Sequence, residues 1–348
     1  MFDTNVTKIR DFLIVGFPGL SPEYYGPVSA LLFVLFLAIA AGNIFILVFV
    51  KCERSLHKPT YLIFCHLALT DLAFGTVTLP KIISKYWFDD SFISFYGCFV
   101  QMFFVHFLGA AHSFILMVMA LDRFIAICIP LRYPVLITNN TISVLCGFAW
   151  FIPLPLMVVV LLHALTLSFC KSNVIAQCYC DTISIRSQAC GEDVFTIAVI
   201  TLCIAMFTLL IPLAFILFSY ISIIVVIIKM SNAASRKKTL STFTPQILIT
   251  CLFYFPRCFV YVTSVVGFSF SLDVRILLML LYSVFPAAVN PGIYCFKTQD
   301  IKQMLMKRLR KTKIAIEIKL SYKCQTDGLG RMYTITQQNY PIPDKFVT

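Results

Sequence analysis

Charge is what this sequence lacks most. Only 13% of its 348 residues are Asp, Glu, Lys or Arg, and 59% are hydrophobic. Soluble domains carry roughly 25% charged residues, so with a mean hydropathy of +0.89 a soluble globule is excluded. The apolar residues fall in seven blocks, roughly 27–50, 60–83, 98–125, 142–163, 195–228, 240–266 and 274–296. About 20 apolar residues cross a ~30 Å hydrocarbon core as a helix. The fold class expected is therefore an all-α membrane protein, a seven-transmembrane helix bundle.

Other absences narrow the function. No internal repeat supports the inverted-repeat plan of many transporters. No CxxC or HExxH spacing points to a zinc site. No soluble domain interleaves basic residues with stacking aromatics, so nucleic acid is not an expected partner. No basic n-region precedes Asp3 and Asn5, and a cleavable signal is not expected.

The charge that is present is lopsided. With the N-terminus outside, the cytoplasmic pieces hold 20 of the 28 Lys+Arg, from Lys51 to Lys345. That bias sets orientation. The net charge of +12 becomes a cytoplasmic-face property suited to anionic lipid and an acidic partner surface. Asn5 then lies in an outward sequon, Asn5-Val6-Thr7, while the sequon at Asn139 faces the cytoplasm and should be silent. Five of 14 cysteines face outward: Cys98, Cys170, Cys178, Cys180 and Cys190. They can pair in an oxidising compartment, and the odd number leaves at least one over.

Polar residues inside the apolar blocks mark function, because burying them is costly. Asn43 follows Gly42 in span one, Asp71 lies in span two, and Asn290, Pro291 and Tyr294 lie in span seven. Pro212, Pro256 and Pro291 remove helical hydrogen bonds and predict kinks. Asp122 and Arg123 end span three side by side.

These residues resemble the rhodopsin-like G-protein-coupled receptors: "GN", "LALTDLAF", the Asp122-Arg123 pair, Trp150, Pro212 with Tyr220, and "NPGIY". More narrowly, "LHKPTYLIFCHLALTDL", "MALDRFIAICIPLRYP", "SRKKTLSTFTPQI" and "FYFP" resemble odorant (olfactory) receptors, across roughly residues 20–310. "QMFFVHF" is most like the fish-type, class I branch. Phe243 and Gln246 replace a cysteine and a histidine of the span-six motif, and Phe124 replaces a tyrosine. The resemblance implies disulfides Cys98–Cys180 and Cys170–Cys190, leaving Cys178 odd. It also implies a cation pocket at Asn43, Asp71, His112 and Asn290, where many relatives carry glutamate in place of His112. A sodium ion near Asp71, or a His112 imidazolium in its place, follows; in the second case activity should vary with pH near neutrality. No other cofactor is expected. A retinal-binding photoreceptor is excluded because residues 274–296 contain no lysine for a Schiff base.

Helical spacing puts Val105, His106, Gly109, Ala110 and Ser113 on one stripe of span three, which in this family faces the ligand cavity. His106 lies ~12 Å below Cys98 at 1.5 Å per residue. Arg257, in "FYFPRCFVYV", lies near the midplane and predicts a counter-ion for an acidic ligand group. Phe253, Tyr254 and Phe259 are expected as an apolar wall beside it.

The mechanism implied is conformational coupling with no catalytic residue, hence no enzyme. Asp122 holds Arg123 at rest through a local and weak restraint, since span six has no acid near Lys238. On activation Arg123 is freed toward Tyr220 and Tyr294, while Lys229, Arg236, Lys237 and Lys238 face the G protein. The domains expected are an extracellular tail 1–26, the receptor bundle 27–296, an amphipathic helix 297–310 with Ile301, Leu305 and Leu309 in stripe, and a disordered tail 311–348. The resemblance implies an odorant receptor coupled to a stimulatory (olfactory-type) G protein that raises cAMP. It would lie in the plasma membrane of sensory-neuron cilia, in contact with membrane lipids. A rhodopsin-like receptor for a non-odorant endogenous peptide or amine is the alternative, its amine form weakened because span three carries no aspartate near His106.

Overall fold

The computed structural model describes residues 9–265, 270–298, 300–308 and 310. The Asn5 sequon, Leu309 and the 311–348 tail lie outside them. Long helices match the apolar blocks: α1 (Tyr25–Cys52), α2 (Pro59–Phe88) and α3 (Phe95–Cys128). After the four-residue α4 (Tyr133–Leu136), the fourth block forms two helices, α5 (Asn139–Phe151) and α6 (Pro153–Leu165). The break falls where Pro153 has no N–H to give Ala149. A loop helix, α7 (Thr182–Ser187), precedes α8 (Asp193–Lys229), α9 (Ala233–Val265) and α10 (Leu272–Lys297). Among the described residues, six helical stretches are long and apolar enough to cross a membrane, the α5–α6 pair counting as one. The remaining one, α9, holds the sixth block and carries Pro245, Arg257 and Pro256. Apolar side chains such as Leu31, Val34, Leu37, Leu210 and Phe218 are exposed along α1 and α8, a surface that suits hydrocarbon rather than water.

The helices close into a ring around α3, which packs against α2, α5, α6, α8 and α9, while α10 packs against α1, α2 and α9. One joint explains two motifs together. Pro291 cannot donate to the carbonyl four residues back, Ala287. The Asn43 side chain fills that place, donating to Ala287 O at 3.0 Å and to Ile39 O at 2.9 Å. Gly42 permits the approach, since a Cβ there would lie 3.0 Å from the Pro291 ring.

The described residues up to Lys302 belong to one compact unit, with Ile301 fully buried. Beyond it, 303–308 and 310 are helical and belong to a second unit.

The connectors at one end are more ordered than a polar loop. Strand β1 (Asp11–Ile14) pairs antiparallel with β2 (Phe92–Ser94) and parallel with β4 (Val174–Ile175); β3 (Ser168–Phe169) pairs with β5 (Ala189–Cys190). The alternation in β1 buries Phe12 and Ile14 completely. The chain then turns at Gly16, at φ +63°, where any side chain would strike the Tyr86 hydroxyl. Phe17 N donates to that hydroxyl at 2.7 Å. Disulfides Cys98–Cys180 and Cys170–Cys190 tie this end, and Cys178 remains a buried free thiol.

Candidate functional site

Below the disulfide end a cavity of about 130 Å³ opens between α3, α6, α8, α9 and α10. Of the predicted ligand residues, Val105, His106, Gly109, Ala110, Ser113 and Arg257 line it. Phe253 lines only a second hole of about 10 Å³ beneath. Tyr254 lines neither: buried, its hydroxyl needs a partner and takes Ser113 Oγ at 2.5 Å. Phe259 is turned outward and is 43% exposed. Of the wall expected beside Arg257, Phe253 is in place, its ring centre 3.9 Å from the guanidinium carbon, while Tyr254 and Phe259 are not. Met157 and Val160 of α6 with Ile204 and Leu209 of α8 supply the apolar lining of the cavity itself.

Sequence reading also missed Tyr179, Asp181 and Thr182, which line the cavity from above. The Cys98–Cys180 bond draws them in, and Cys180 N donates to Gln101 Oε1 at 2.9 Å. His106 Nε2 accepts from Thr182 N at 3.4 Å and contacts Thr182 Oγ1 at 2.5 Å, so Nδ1 carries the proton of the neutral ring. Asp181 caps α7, its Oδ1 accepting from Ser184 N at 3.0 Å.

Arg257 is the cation of this cavity. Its guanidinium carbon stands 3.9 Å from the Phe253 ring centre and 5.3 Å from that of Tyr282. A Cβ at Gly109 would lie 3.7 Å from Nη2. Among the described residues it has no ion pair with a carboxylate. Phe253 is shared: its ring also lies parallel to His112, centres 4.5 Å apart.

His112 belongs to the Asp71 cluster. Its Nδ1 lies 3.3 Å from Asp71 Oδ1 and 3.2 Å from Thr70 Oγ1, whose own proton goes to Leu67 O at 2.7 Å. Nδ1 is therefore the donor. Asn290 Nδ2 donates to Asp71 Oδ2 at 2.8 Å. Asn43, expected in the same pocket, makes no hydrogen bond to Asp71 because the Ala287 carbonyl engages its amide.

At the opposite, basic end, Asp122 is fully buried. It accepts from Thr60 at 3.2 Å and Tyr133 at 2.9 Å, and pairs with Arg123 Nη2 at 3.1 Å. Arg123 Nη2 also donates to Thr60 Oγ1 at 2.8 Å. The expected Asp122–Arg123 pair is thus in place, and Thr60 of α2 and Tyr133 of α4 join it, so it is not confined to α3. Burial, with Asp122 beside it, pushes the Tyr133 hydroxyl up to about 12. Neither Tyr220 nor Tyr294 bonds Arg123. Tyr220 bonds Thr250 Oγ1 at 2.9 Å; Tyr294 stacks on Phe64, its hydroxyl without a partner among the described residues. Lys229, Lys237 and Lys238 are exposed where α8 ends and α9 begins. Nearby, Asp300 accepts from Tyr61 at 2.8 Å and Lys58 at 3.2 Å, which holds its carboxyl below the usual range.

A ring of seven membrane-length segments, with a cavity at one end and a buried acid–arginine pair at the other, defines a rhodopsin-like seven-helix receptor. The family model for olfactory receptors matches residues 32–312. Olfactory receptor 51E2 of Homo sapiens is 34% identical over 301 residues, 85% of this chain and 92% of that protein. Olfactory receptors 2AT4 and 52K1 of Homo sapiens are each 32% identical, over 85% and 88% of this chain and 92% and 98% of those proteins. The chain belongs to the olfactory receptor family, a family of multi-pass plasma-membrane receptors and not of enzymes.

Proposed function

We propose that the 130 Å³ cavity is the odorant site and that Arg257 is its anchor for an acidic group. The observation that carries this is an arginine facing the cavity with aromatic rings against its guanidinium and, among the described residues, no carboxylate in ion-pair contact with it. The cavity is smaller than the ~300–1,000 Å³ of sites for drug-sized ligands, so the ligand is small, apolar at one end and anionic at the other. The stripe from Val105 to Ser113 orients it.

Binding shifts the population toward a state in which Arg123 leaves Asp122 and the Lys229, Lys237 and Lys238 face receives a stimulatory, olfactory-type G protein, raising cAMP. Tyr220, Pro291 and Tyr294 serve that movement. The N-terminus is extracellular, Asn5 is glycosylated, and the receptor works in sensory-neuron cilia.

At Asp71, Nδ1 of His112 and Nδ2 of Asn290 aim hydrogens at both carboxylate oxygens. That donor set suits a carboxylate and does not fit a sodium ion, so we assign His112 and Asn290 as the partners of Asp71 in place of a cation. The test of the whole reading is a cAMP assay in a heterologous cell with a panel of acids and their methyl esters. Acids should act and esters fail on the wild type, with the acid response lost in Arg257→Ala; an unchanged acid response in the variant overturns it.

A further inference from the structure

The odorant cavity holds a second unpaired charge, of opposite sign. Asp181 is 6% exposed and lines the same cavity as Arg257. One of its oxygens caps α7 through Ser184 N. The other has no hydrogen-bond partner among the described residues, and Asp181 makes no ion pair there with Arg257, His106 or any lysine. Burying a carboxylate and a guanidinium is costly unless each is paired. Two facing groups could satisfy one another directly, yet Arg257 is held on Phe253 and Tyr282 and Asp181 on the α7 cap. The space between complementary charges is thus left for a ligand.

We propose that the site takes a small zwitterion, a short-chain amino acid whose carboxylate meets Arg257 and whose ammonium meets the free oxygen of Asp181. This rests on the anion reading above and adds the second pole. His106, with Nε2 engaged by Thr182, offers an Nδ1–H donor and no further cation. Val105, Ala110, Val160 and Ile204 face the chain of the ligand. A lone carboxylate would leave Asp181 unpaired, and a lone amine would leave Arg257 unpaired, so both should bind more weakly.

The test uses the full-length receptor, with surface expression measured alongside cAMP, and four probes of matched size: norvaline, 5-aminopentanoate, pentanoate and pentylamine. Asp181→Asn removes the charge and keeps a good N-cap, so α7 should persist. In the wild type at least one amino acid should be tenfold or more as potent as pentanoate. Asp181→Asn should erase that advantage with the pentanoate response retained or strengthened, since the unpaired anion is gone; Arg257→Gln should abolish both. Pentanoate outperforming both amino acids, or an advantage that survives Asp181→Asn, overturns the zwitterion while leaving the anion reading standing. A pentanoate response indifferent to Arg257→Gln, or a wild type silent to all four probes, overturns both.

Discussion

The two ends of the bundle treat charge in opposite ways. At the basic end each buried or bridging acid has its donors: Asp122 has Thr60, Tyr133 and Arg123, and Asp300 has Tyr61 and Lys58. At the disulfide end Arg257 and one oxygen of Asp181 are left facing a cavity. In the proposed reading the satisfied end holds a conformation and the unsatisfied end is completed by a ligand. Between them lies Asp71, its two oxygens met by His112 and Asn290, with His112 stacked on the ring that carries Arg257.

Several substitutions would break or sharpen that contrast. The largest effect is expected from Cys98→Ser. Losing a native disulfide typically costs about 2–5 kcal/mol, and here it also frees Tyr179, Asp181 and Thr182 from the cavity. Surface immunostaining should fall sharply, and receptor that reaches the surface should not respond to any ligand. Asp122→Asn comes next. It removes the charge that holds Arg123, so ligand-free cAMP should rise several-fold at matched expression. Thr60→Ala and Tyr133→Phe should give smaller rises, and basal signalling unchanged in all three would mean the basic end is not a restraint.

Asn43→Ala acts in the middle of the bundle. It leaves the Ala287 carbonyl without a donor, at a cost of about 1–3 kcal/mol, readable as a lower melting temperature of the purified receptor with the cavity unaltered. The smallest effect is at Asp300. Its carboxyl is held below the ordinary range, so the stabilisation it contributes is present above the unfolded value of about 3.9 and lost as pH falls through the lower folded value. Asp300→Asn should therefore differ slightly from wild type at pH 6 and converge with it in strong acid. The pair is too exposed to weigh heavily.

What was legible in the sequence followed from periodicity. Long apolar blocks marked the membrane segments, the 3.6-residue repeat placed Val105, His106, Gly109, Ala110 and Ser113 on one stripe of α3, and the family resemblance implied that this stripe faces the cavity, which it lines. The four-residue strand β1 and its two- and three-residue partners are too short for any pattern to announce. Asp181 and Thr182 lie some 75 residues from His106 and reach it only through the Cys98–Cys180 link; had geometry been followed from that pairing, two turns above His106, they could have been found. Asn43 was misplaced because its partner is a carbonyl that Pro291 leaves open, which a reading of span one alone does not reveal. Tyr254 lies one turn before Arg257 on much the same face, and was misplaced because its buried hydroxyl is engaged by Ser113 Oγ at 2.5 Å, a partner on another helix that the motif does not reveal.

One measurement addresses the open end directly: the melting temperature of the purified receptor in nanodiscs with pentanoate or methyl pentanoate, for wild type and Arg257→Gln. Pentanoate should stabilise the wild type in a concentration-dependent way, the ester should not, and Arg257→Gln should show neither effect while melting close to the ligand-free wild type. Equal stabilisation by acid and ester, or by the acid in both proteins, would contradict the assignment of Arg257 as the ligand's counter-ion.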